Sequence, residues 1–238
     1  MKRKANNILI KIVIFLFSIG ITPLSVSFFI NIPELFSHYT TVTHELFASS
    51  MGFILFFISF FLFGPPVKSY IIEHELSHVL FALLSGVKVK KMSLRREGGY
   101  IKTEKVNIII ALAPYSFPLY TIFIIGAHKI LSYVISSDLL SLPMYFLFGV
   151  SLSFHIIVTI HYLQIEQPDL KRYGYFSSLV LIFSWSIVIV AILLASMFER
   201  IEIAEYLSKS MMDTGRFYKI IILFLRSIST KIEFFFLD

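Results

Sequence analysis

The distribution of apolar residues along the chain is the strongest signal it carries. Six long hydrophobic stretches stand out, at about residues 8–30, 45–64, 67–86, 106–135, 141–163 and 175–197. Each approaches or exceeds the roughly 20 residues that a helix needs to cross the hydrocarbon core of a bilayer. The longest polar interruption, 87–105, places Gly98, Gly99 and Tyr100 between short alternating segments, a pattern that predicts a small β-hairpin. After Met197 a charged helical stretch runs from Glu199 to Asp213, and a further apolar one from Arg216 to Leu237. The latter is interrupted by Lys219, Arg226 and Lys231, which predicts an amphipathic helix lying in the interface.

The expected fold is therefore an all-α polytopic membrane protein with about six transmembrane helices and one β-hairpin. Residues 1–198 form the membrane domain, with its core at 67–175, and 199–238 form the interfacial segment. Neither an internal repeat nor room for a soluble domain between spans is visible. The amino-terminal run lacks a small-residue cleavage site and reads as a retained span rather than a signal peptide. Pro114 and Pro118 must break or kink the fourth stretch, and Asn107 is suited to start it.

Composition agrees with a lipid solvent. The chain is 57% hydrophobic with 26 Phe, and its 15% charged residues fall well below the roughly 25% of soluble domains. The net charge of +6 comes from basic residues beside apolar segments, not from a nucleic-acid-binding face, so no nucleic-acid partner is expected. Lys88, Lys90, Lys91, Arg95, Arg96, Lys102 and Lys105 place the 87–105 loop in the cytoplasm by the positive-inside rule. Lys2, Arg3, Lys4 and Lys11 ask the same of the amino terminus. Three spans between the clusters would separate them, which leaves the crossing of the first two segments open.

Candidate chemistry sits in the third stretch, where His74, Glu75, Leu76, Ser77 and His78 form the pattern His-Glu-x-x-His. On a helix, i and i+4 share a face, so both imidazoles reach a single ion, while Glu75 is placed to take a proton from a water held there. By composition this pattern arises by chance in only about one such chain in a hundred. Its setting adds weight, because each charged group deep in a span costs at least roughly 2.5 kcal/mol, and Glu73, His74, Glu75 and His78 fall within five residues of one another. His44 and Glu45 begin the same pattern but lack the second histidine.

A catalytic zinc takes three protein ligands and keeps one position open. The chain has no cysteine, so the third ligand must be a histidine or carboxylate, and His128, Asp138, His155, His161, Glu166 and Asp169 are the candidates after the motif. Lone membrane histidines such as His155 and His161 more often hydrogen-bond between helices.

The metal motif in an apolar helix, the basic loop ending in Gly98, Gly99 and Tyr100, and Asp169 just past a span together resemble the site-2 protease family of intramembrane zinc metalloproteases. The resemblance covers about residues 67–175. It implies His74, His78 and Asp169 as Zn²⁺ ligands and Glu75 as the base that activates water. It also implies a membrane-protein or membrane-associated peptide as substrate, and the cytoplasmic membrane of a prokaryote as location. Where that family places an aspartate followed by glycine, this chain reads Gln167, Pro168, Asp169, Leu170, and it has no PDZ-type insertion. The rival expectations are a membrane zinc protease whose third ligand is Glu199, Glu202 or Glu205, and a metal-ion transporter or inactive scaffold, for which Glu75 would have no use.

Overall fold

A computed structural model describes residues 2–95, 98–134, 137–165 and 167–237. Among the positions singled out above, Arg96 and Glu166 lie outside the described residues, as do the side chains of Lys2, Arg3, Lys4, Arg95, Asp138 and Lys231.

The chain folds into helices α1 (Lys2–Ile30), α2 (His44–Phe63), α3 (Val67–Leu84), α4 (Ile108–Ser116), α5 (Leu119–Leu131), α6 (Ser137–Leu163), α7 (Pro168–Tyr173), α8 (Tyr175–Met197) and α9 (Ile203–Leu237). Strands β1 (Val89–Arg95) and β2 (Gly98–Thr103) pair antiparallel as the expected hairpin. α1, α2, α6 and α8 are each long and apolar enough to cross a bilayer, and the bent pair α4–α5 qualifies as a fifth span. Their outward faces carry exposed Phe, Leu and Ile, as at Phe17, Phe61 and Phe123. The protein is a mostly helical, multi-pass integral membrane protein.

Local chemistry sets the element ends. Thr43 caps α2 by accepting the Leu46 N–H at 3.3 Å, and Gly64, at φ 78°, ends it before Pro65 and Pro66. Asn107 caps α4 through the Ile110 N–H at 2.8 Å. Pro118 then ends the run, and α5 departs at 69° to α4. α2 and α6 lie side by side and parallel, with Ser49 Oγ donating to the Tyr145 carbonyl and Ser153 Oγ to that of Phe53. Their backbones touch because Gly52 and Gly149 have no side chain. A Cβ on Gly149 would fall 1.9 Å from the Ser49 carbonyl oxygen.

The metal-motif helix differs from the other apolar stretches. Lys68, Glu73 and Glu75 within its 18 residues exclude α3 from the candidate spans. It starts beside the end of α6, where Tyr70 stacks on Tyr162 at 3.8 Å. It finishes beside the start of α4, where Asn107 Nδ2 donates to Ser85 Oγ at 3.3 Å. Tyr173 OH reaches the Val106 carbonyl, and Tyr175 OH that of Leu163, so both ends of α3 lie at one end of the bundle. The ends of α3 thus sit by the end of α6 and the start of α4, and α1 and α2 are the two candidate spans before the 87–105 loop. Two candidate spans between the basic clusters are compatible with both lying on one side, and Lys11 Nζ approaches the Lys171 carbonyl at 3.5 Å.

α9 is continuous through Gly215, where two separate segments were expected, because its first half is held along α1. Tyr206 OH donates to the Phe28 carbonyl at 2.8 Å, Asn31 Nδ2 to Asp213 Oδ2 at 3.0 Å, and Tyr218 OH to the Gly20 carbonyl. Beyond Tyr218, Ile220 to Leu225 are exposed.

The topology is testable in this cysteine-free chain. A single cysteine at Thr41, at the opposite end, should react with an impermeant thiol reagent applied to intact cells, and one at Ser93 should react only after permeabilisation. Labelling of Ser93→Cys from outside would reverse the orientation.

Candidate metal centre

The motif places His74 and His78 on the face of α3 that meets α4 and α7, with their rings 4.9 Å apart and nearly perpendicular. α7 begins at Pro168, whose fixed φ suits a first helical position, so Asp169 stands in the first turn. Its Oδ2 lies 3.5 Å from His78 Nε2 and 3.8 Å from His74 Nε2, and the three donor atoms lie within 4.8 Å of one another. Ligands about 2.0–2.1 Å from a tetrahedral zinc would be about 3.3–3.4 Å apart. The observed separations fit that arrangement better than they fit direct hydrogen bonds.

Tautomer and orientation are constrained from outside this cluster. The Ile110 carbonyl accepts from His78 Nδ1 at 2.7 Å, which leaves the Nε2 lone pair free to face Asp169. Tyr115, buried in α4, donates to Gln167 Oε1 at 3.2 Å and reaches Asp169 Oδ2 at 3.5 Å, and its ring meets His74 edge-on. Burial alone would raise the Asp169 carboxyl, but the adjoining His74 and His78 imidazoles more than offset it and hold the group below the usual carboxylate range. An ionised carboxylate and two imidazoles make a donor set that suits zinc.

Glu75 faces the same space. It lines a cavity of about 520 Å³ with His74, His78 and Asp169, bordered by Gly98, Gly99 and Arg172. Its Oε2 is buried without a hydrogen-bond partner among the described residues. Strand β2 closes over it so tightly that a Cβ on Gly99 would lie 2.5 Å from Glu75 Cγ and 2.7 Å from Oε1.

The remaining described candidates for a third ligand lie elsewhere. His128 shares a cavity with Glu45, Glu199 and Arg200 at the opposite end of the bundle. His161 packs against Phe60 and Tyr162. His155 lies on α6 beside Glu73 rather than at the cluster. Glu202 and Glu205 gather with exposed His38, whose Nε2 is 2.9 Å from Glu205 Oε2. The hydrogen bond and charge of Glu205 raise the His38 pKa and favour an ion pair there. Among the described residues, Asp169 alone of these candidates joins His74 and His78. Tyr115 and the Ile110 carbonyl were invisible to motif reading; the only nearby signal was the pair of prolines at 114 and 118. Comparison with protein-family models, curated protein sequences and solved structures returned no match.

Since β2 and Glu75 are in direct contact, Gly99→Ala should push the strand off α3. Faster amide hydrogen exchange across residues 98–103, with the α2–α6 pair unchanged, is the expected result; an unchanged hairpin would show that the contact is slack.

Proposed function

We propose that this protein is a membrane zinc metalloendopeptidase of the site-2 protease type, hydrolysing peptide bonds of membrane-protein or membrane-associated substrates. The observation that carries this reading is the convergence of His74, His78 and Asp169, from separate elements, beside a cavity that Glu75 also lines. In it, His74, His78 and Asp169 would hold Zn²⁺. When bound, the ion would polarise a scissile carbonyl and acidify a water.

The chain's own residues supply the proton chemistry. Glu75 takes the proton from the attacking water and passes it to the departing amine, so one carboxylate serves as base and then as acid. Its unpartnered Oε2 is free for that task. Tyr115 holds Asp169 from behind, and the Ile110 carbonyl holds His78, so the ligands keep their aim while substrate enters. A substrate segment must be unwound to react, because carbonyls in a helix are already hydrogen-bonded. The cavity at the β2 edge leaves room for such an extended segment. The basic clusters on this side of the bundle support a site near the cytoplasmic face of the membrane, which in this reading is the plasma membrane of a prokaryote.

The purified protein is expected to hold about one zinc per chain. Replacing His74 and His78 together by Ala should empty it, and Asp169→Ala should weaken it by about tenfold or more. Elemental analysis of folded protein decides the matter, since wild-type zinc content in the double variant would place the metal elsewhere.

Glu75→Gln separates a protease from a transporter or an inactive scaffold. The variant should keep its zinc while cleavage of co-expressed single-span test proteins falls by at least about 100-fold. Cleavage at the wild-type rate by the zinc-loaded variant would remove Glu75 from the role of base.

A further inference from the structure

Glu73 stands one residue before His74, yet its carboxylate engages α5 and α6 on the other flank of the motif helix. Its Oε1 accepts the Tyr120 backbone N–H at 3.3 Å, and its Oε2 lies 3.6 Å from His155 Nδ1. Both side chains are almost fully buried, at 3% and 4% exposure. The helix that Glu73 meets begins where the prolines break the fourth stretch, and its cap position, Pro118, offers no side-chain hydrogen bond. A helix start in apolar surroundings leaves N–H groups that water cannot satisfy. A carboxylate supplied from another helix answers one of them and complements the positive end of the α5 dipole.

The geometry points to Glu73 as a positioning residue of the metal centre: it caps α5 from α3 with its other oxygen beside His155 of α6, and so sets the rotation of α3 that aims His74 and His78. This rests on the zinc-site reading above. Consecutive helical residues point about 100° apart, so fixing one side chain fixes the direction of its neighbour. A rotation of only about 10° would swing a nitrogen lying about 6 Å from the helix axis by about 1 Å. Metal–ligand distances tolerate only about 0.2 Å. Other contacts support the same alignment. Tyr120 OH donates to the Ser69 carbonyl at 3.0 Å, and the Tyr120 ring packs on Phe154, one residue from His155. Glu73 touches no ligand, so its effect on the metal passes through the helix.

The test uses purified full-length protein, with zinc affinity measured by chelator competition and site geometry by the visible spectrum of the Co²⁺-substituted form. Glu73→Ala should lower zinc affinity by about tenfold or more and shift the Co²⁺ bands. Glu73→Gln, whose amide oxygen still accepts from Tyr120, should stay within about threefold of wild type. A folded Glu73→Ala protein with wild-type affinity and spectrum would overturn the assignment, as would a Glu73→Gln protein impaired as much as Glu73→Ala. If Glu73→Ala does not fold, Glu73→Asp shortens the reach by one methylene and should weaken zinc binding; unchanged affinity there would equally overturn it. Absence of zinc from the wild type would instead defeat the proposed function, so the two failures are distinct.

Discussion

Polar and ionisable groups surrounded by apolar residues and lipid must be satisfied by one another, and the arrangement of α3, α4, α5 and α7 follows from that constraint. Glu73 finds the Tyr120 N–H and lies beside His155, His78 finds the Ile110 carbonyl, and Asp169 finds two imidazoles and the Tyr115 hydroxyl. None of these pairings is made within one helix. Each ties the motif helix or its partner aspartate to another element, so the groups hardest to bury also fix how the elements pack.

The room for this polar cluster is made by departures from regular helix. Pro118 divides the fourth stretch, with Pro114 carried inside α4, and this lets α4 run back along α3 while α5 turns away. Three charged residues set α3 apart from the candidate spans, and the hairpin packs against it. The apolar frame behind is tighter, with Gly52 and Gly149 bringing the α2 and α6 backbones into contact. A rigid frame thus backs a site whose open side is a two-stranded hairpin packed directly on Glu75.

Much of this was legible in the order of residues. The apolar stretches, the hairpin at 87–105, the break at the prolines and the cap at Asn107 all depend on short-range rules of periodicity, turn chemistry and backbone geometry, which act on neighbours in the chain. The His-Glu-x-x-His spacing belongs with them, because i and i+4 meet on any helix. The positive-inside rule made the same demand of both basic clusters, but the number of candidate spans between them was not readable from hydropathy alone.

What the tertiary structure decided are pairings between distant parts of the chain. It brought Asp169, rather than His128, His155 or His161, to the motif histidines, and gathered Glu202 and Glu205 with His38 instead. It set Tyr115 behind Asp169 and Gly99 against Glu75, and it merged the two carboxy-terminal segments into one helix along α1. Sequence by itself determined which groups could not be left in lipid, because that cost belongs to each residue type. Only the fold determined which partners answered them, because hydrogen bonds and ligand sets depend on distances between residues far apart in the chain.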